Sequence, residues 1–291
     1  MYKQLSQLLM YGDLDQDGIL YQLGEIFHRY DKGDYDRMEL VRDINIQIKH
    51  LLKVATDYGF DDNLWHNYLT FFLMMSENPF SMTCEKVGAS EGTVNLLVEN
   101  DFRIFKSLFD YDFSKIEAEL GIDCFSQLSD YHSKIEKDLG IDCFSRISNY
   151  HAISKKDLMY NKNVSEKVRA LSKKLENTTT EQEFFDVVTG FYKDYGVGMF
   201  GLNKAFRIEE NPAGGVIFRP INNMDQVMLD DLVGYEIQKK KLVDNTEAFV
   251  QGRKANNCLL FGDSGTGKST SIKAIVNQYY DQGLRMIEIY K

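Results

Sequence analysis

The sequence predicts a mixed fold, a mainly α-helical N-terminal region followed by the start of an α/β domain, and three observations predict it. Residues 1 to about 195 contain a single proline, Pro79, and repeat apolar residues at helical spacing. Glycines then gather at Gly196, Gly198 and Gly201, and Asn211-Pro212-Ala213-Gly214-Gly215 marks a break. From Asn257 the chain reads as an apolar run, a glycine-rich loop, a helical segment and an alternating strand, the order of a β-loop-α-β unit. The expected division is 1–195 helical, 196–228 an extended linker, and 229–291 an incomplete α/β domain.

Within the helical region, Leu40, Ile44, Ile48, Leu51 and Leu52 trace one apolar stripe. The segment from Asn63 to Met75, with Trp65, Phe71 and Phe72, is too apolar for a surface helix and is expected in the core. Residues 114–132 and 133–151 are a tandem duplication of period nineteen with fourteen identities. Two units fall short of a repeat solenoid, so the duplication is read as local. It accounts for the pairs Cys124/Cys143 and His132/His151 by copying, without a metal. Asn177-Thr178-Thr179-Thr180 is a loop before a helix from Gln182 to Tyr195, with Glu181 and Glu183 at its start. Val216 to Ile221 is expected as a short strand leading into the second domain.

Asp13, Asp15, Asp17 and Gly18 copy the opening of an EF-hand loop, but its twelfth position is Gly24 where a bidentate glutamate is required. An acidic turn is the expected reading, with calcium as the alternative.

A net charge of −10 argues against coating nucleic acid or an anionic membrane with the whole surface. No apolar stretch is long enough for a span, and the N-terminus lacks a signal layout, so a cytoplasmic protein is expected. The cysteines form no CxxC pair and are read as reduced, mostly buried thiols.

Gly262-Asp263-Ser264-Gly265-Thr266-Gly267-Lys268-Ser269-Thr270 fits G-x-x-x-x-G-K-[ST]. Glycines let backbone amides turn inward around phosphates, and the following helix adds its positive N-terminal end. Lys268 is the expected catalytic residue, reaching the β- and γ-phosphates, and Ser269 is the expected magnesium ligand. Asn257 to Phe261 is expected as a buried parallel strand before the loop, Lys268 to Tyr280 as the helix after it, and Leu284 to Tyr290 as a second strand. Upstream, Leu232-Val233-Gly234 and a helix towards Gly252 suggest a turn whose Val233 and Gly234 offer backbone groups to an adenine. Tyr235 or Ile237 would form its apolar wall. Asp230-Asp231 precedes the loop and is expected to cap that helix.

The stretch from Leu232 to Glu288, including Val243 to Gly252, Asn256 to Gly262 and Gly283 to Glu288, resembles the bacterial P-loop ATPases of the DUF815 family, which are AAA+-like. Asn63-Leu64-Trp65 through Glu77-Asn78-Pro79-Phe80 resembles that family's N-terminal helices. The resemblance implies ATP and Mg2+ binding, an unknown protein partner for the helical region, and a homo-oligomer at full length. The sequence stops at Lys291 without the acidic strand, sensor, arginine finger and lid of such enzymes, so a fragment is expected, with the hydrolytic half beyond it. The competing readings are a nucleotide-gated adaptor without turnover and, against the late position of the loop, a small-molecule kinase.

Overall fold

The structure, a computed structural model, describes residues 1–89, 92–122, 161–212, 214–222 and 224–290. Most of the duplication, with Cys124, Cys143, His132 and His151, lies outside the described residues.

The helical region contains α1 (Tyr2–Leu5), α2 (Ile19–Lys32), α3 (Arg37–Tyr58), α4 (Leu64–Met75), α5 (Pro79–Val87), α6 (Thr93–Phe109) and α7 (Ser114–Leu120). After residue 160 follow α8 (Lys162–Glu176), α9 (Glu181–Tyr195) and the short α10 (Gly198–Leu202). Local chemistry sets most of these boundaries. Asp36 caps α3 by accepting from the Glu39 amide at 2.9 Å, and α3 stops where Gly59 turns left-handed at φ 67°. Asn78 and Ser81 form a capping box around Pro79 at the start of α5, and Thr180 with Glu183 does the same for α9.

One apolar core joins these helices. Leu40, Ile44 and Leu51 are buried in it and Ile48 and Leu52 pack at its margin, as their stripe predicts. Trp65 is buried and its indole N–H donates to the Leu108 carbonyl at 2.7 Å. Phe102 meets Phe80 and Phe184 at centroid distances of 5.7 and 6.3 Å, so α5, α6 and α9 share one aromatic layer. The Tyr192 hydroxyl donates to the Leu73 carbonyl at 2.8 Å and lies 2.9 Å from the Tyr11 hydroxyl. Desolvation holds both phenols above their ordinary range.

The acidic turn before α2 is held by its own side chains: Asp15 Oδ1 accepts from the Asp17 amide at 3.1 Å, and Gly18 is the N-cap of the helix.

The 196–228 segment, expected as a linker with a short strand at Val216 to Ile221, carries that strand and, in addition, α10 and a second strand. Strands β1 (Ala205–Glu210), β2 (Val216–Pro220) and β3 (Met286–Glu288) are ordered β2-β1-β3. The β1–β2 pair is antiparallel, with Phe206 opposite Pro220 and Glu210 opposite Val216, while β3 runs parallel to β1 with Ala205 opposite Met286. Strand β1 is central, and at its start Ala205 and Phe206, which point to opposite faces, are both buried, while Arg207, Glu209 and Glu210 are exposed. Ala205 clusters with Val276 on one side, and Phe206 meets Phe200 of α10 at 4.6 Å on the other.

Candidate functional site: the glycine-rich loop and its helix

The remaining elements are a 3-10 turn (Leu229–Asp231), α11 (Glu236–Val250), α12 (Lys268–Tyr279) and a second 3-10 turn (Tyr280–Gln282). Helix α12 begins at Lys268, immediately after Gly267, which sits in the left-handed region at φ 81°. Gly262 and Gly265 also have positive φ, 138° and 81°, values that side chains with a Cβ rarely adopt. The loop curls around the Lys268 ammonium, which donates to the Gly262 carbonyl at 2.9 Å and to Thr266 Oγ1 at 3.3 Å, and also to the Asp263 carbonyl. Thr266 closes the loop by donating to the Asp263 carbonyl at 2.9 Å.

The residues around Lys268 Nζ are therefore neutral acceptors, and its positive charge sits at the positive end of a helix. Gly262, Asp263, Ser264 and Gly265 are exposed, as is Ser269 in the first turn of α12, while Thr266, Gly267 and Thr270 are half-buried. All nine residues of the motif thus fall in one loop and one helical turn.

The turn predicted to hold a base lies beside this loop. Leu232 approaches Gly267 to within 4.0 Å of where a β-carbon would stand, and it packs with Leu229 against Ile275 and Tyr279 of α12. Val233 follows, 95% exposed, then Gly234 at φ 85°. Asn277 Nδ2 donates to the Asp225 and Val227 carbonyls at 2.8 and 2.9 Å, and Lys273 pairs with Asp225 at 2.7 Å, so the 225–232 segment rides on α12.

Two local expectations are corrected here. Asp231 does not cap α11; its carboxylate accepts from the Met228 amide at 2.8 Å and closes the preceding 3-10 turn. Helix α11 starts without a side-chain cap, after Tyr235 in a left-handed conformation. The expected buried strand from Asn257 to Phe261 has no regular secondary structure and belongs to no sheet, and Leu259 and Phe261 are 84% and 86% exposed. An apolar run becomes a buried strand only when neighbours pair its backbone and cover both faces. Here both edges of β1 are taken by β2 and β3. Cys258, in the same run, is consequently exposed, whereas Cys84 is buried and its thiol is pushed up to about 11 by desolvation. Replacing Phe261 by serine should accordingly change the unfolding free energy by no more than about 0.5 kcal/mol, where a buried phenylalanine would cost about 3 kcal/mol or more. Denaturant melts of the two proteins measure this.

The 3-10 turn and the residues that follow α12 are tied to α9 and α10, which local sequence patterns did not indicate. The Tyr280 hydroxyl donates to the Gly201 carbonyl at 2.8 Å. Arg285 donates to the carbonyls of Phe200 at 2.6 Å, Tyr280 at 2.8 Å, Leu284 at 2.9 Å and Tyr195 at 3.0 Å. A cavity of about 500 Å3 opens elsewhere, between Tyr58, Phe71, Met199 and the β2 residues Phe218 and Arg219, and none of the predicted site residues lines it.

Residues 202–291 match the family DUF815, whose description is a protein of unknown function. The C-terminal part of the chain is thus similar to the DUF815 family. The matched segment contains the whole sheet, the glycine-rich loop and α12. It starts at Leu202, the last residue of α10, so the resemblance noted around Asn63 to Phe80 lies outside the match. No curated protein and no solved structure matches the chain. Among the described residues, no helix is long and apolar enough to cross a membrane.

Proposed function

We propose that the 262–270 loop binds the phosphates of ATP together with Mg2+, in a protein of the AAA+-like P-loop ATPase type. The observation that carries this reading is the convergence of three positive-φ glycines, the Lys268 ammonium and the N-terminus of α12 in one exposed loop. The residues fit the group: Lys268 is held by carbonyl and hydroxyl oxygens that phosphate oxygens can replace, and no carboxylate among the described residues pairs with it. Lys268 and the loop amides would hold phosphate oxygens, and the Ser269 hydroxyl would hold the metal. Bound magnesium supplies charge neutralisation on those phosphates. Val233 and Gly234 would offer backbone groups to the base, since Leu232 anchors their turn against the loop.

Binding is what these residues supply, whereas hydrolysis needs in addition an acid that prepares a water. A second reading, a nucleotide-gated binding module without turnover, is favoured by the attachment of α12 to the helical region through Tyr280 and Arg285. Both readings make the helical region the partner-binding part, and the 1–195, 196–228 and 229–291 division is retained as a functional one. The common experiment is calorimetric titration with ATP, with and without Mg2+, followed by measurement of phosphate release in a single turnover. Absence of Mg2+-dependent ATP binding would sink both readings, and phosphate release decides between them.

A further inference from the structure

We propose that Lys167, Lys204 and Arg285, gathered around the Tyr280 ring, form a second oxyanion site at the joint between the helical region and α12, one that takes a phosphate-class anion. This inference does not rest on the nucleotide reading, because none of its residues belongs to the glycine-rich loop.

Three cations share one ring: Lys167 Nζ lies 3.8 Å from its centroid, the Arg285 guanidinium carbon 4.0 Å and Lys204 Nζ 5.3 Å. Lys167 Nζ is also 4.6 Å from the Tyr195 ring. All three groups can stay protonated together at neutral pH only with a counter-charge close by. Among the described residues, no carboxylate forms an ion pair with any of the three. Asp281, Glu166 and Glu85 act on the cluster from a distance. Cation–π contacts offset only part of the cost of burying the cations.

The donors are unevenly used. Arg285 spends its N–H groups on four carbonyls and is thereby fixed in place. Lys167 makes only a 3.4 Å contact with the Gly201 carbonyl, and Lys204 only a 3.3 Å contact with Asn277 Oδ1. An ammonium has three donors, so both lysines retain capacity for an anion that the fixed guanidinium also attracts. Without one, burial foremost and then Arg285 push the Lys167 amine down to about 6. Burial likewise lowers Lys204 and holds Arg285 at about 10.

The linkage has a definite sign. Folded Lys167 loses its proton near pH 6 while the unfolded amine keeps it to its ordinary 10.5. Between these values the unfolded state binds more protons, so in anion-free buffer stability rises with pH.

The test is titration of the full chain with inorganic phosphate at constant ionic strength and pH 7, in a Lys268→Ala background that removes the loop lysine. Binding is expected to persist there and to weaken about tenfold or more on adding Lys167→Met, and again on adding Lys204→Met. Phosphate binding that vanishes with Lys268→Ala alone and is untouched by Lys167→Met belongs to the loop and overturns the proposal. So does a lack of binding in both proteins. Should the methionine variants fail to fold, NMR titration of the Lys167 ammonium in the Lys268→Ala chain remains decisive. Phosphate should raise its midpoint by about one unit or more, and an unmoved midpoint overturns the site.

Discussion

Lys268→Ala is expected to weaken Mg2+-dependent ATP binding by about tenfold to a hundredfold, the effect of removing one charge-assisted contact of about 1.5–3 kcal/mol. The loop should survive the change. Gly262, Gly265 and Gly267 set its path through backbone conformation, and Thr266 closes it by donating to the Asp263 carbonyl. The Gly262 carbonyl that Lys268 engages at 2.9 Å belongs to an exposed residue and can turn to water once the ammonium is gone. Lys268→Ala should therefore melt within about 0.5 kcal/mol of the unaltered chain, as ordinary exposed substitutions do. Calorimetry of ATP binding and a denaturant melt on the same preparation separate the two effects. Equal ATP affinity in both proteins would remove Lys268 from the site.

Asp101→Ala should produce the largest loss of stability, roughly 3 kcal/mol or more, because it leaves several buried donors without an acceptor. Asp101 is fully buried in α6, and its carboxylate accepts from the backbone amides of Leu9 at 2.9 Å, Met10 at 2.7 Å and Tyr11 at 3.1 Å. Those amides belong to a non-helical stretch after α1 that supplies Tyr11 to the core. With the carboxylate gone, no ladder replaces its bonds, and the cavity adds to the cost. Asp101→Asn keeps one acceptor oxygen and should fall between the two. Urea melts of the three proteins measure the order. Indistinguishable midpoints for Asp101→Ala and the unaltered chain would show that the clasp contributes nothing.

How much of this was legible depends on the range of the forces involved. Helix ends were readable because caps are local: Thr180 and Glu183, three residues apart, complete their own box. The loop was readable for the same reason, since its glycines and lysine act within nine consecutive positions. The strand expected at 257–261 was not, because an apolar run carries no record of whether a neighbour will pair with it. The strands expected at 216–221 and 284–290 did form, at 216–220 and 286–288, but both pair with residues 205–210, a strand that was not expected.

The amino-acid sequence by itself determined the helical N-terminal region, the nine-residue loop and the helix that starts at Lys268, all of them properties of short windows. Tertiary structure alone decided that β3 pairs with β1 and that Leu232 rests beside Gly267. It also brought Lys167, Lys204 and Arg285 to one tyrosine ring. Contacts between residues far apart in the sequence, 35 positions for Leu232 and Gly267 and 81 for Ala205 and Met286, depend on which surfaces meet when the chain collapses, and no local period encodes that choice.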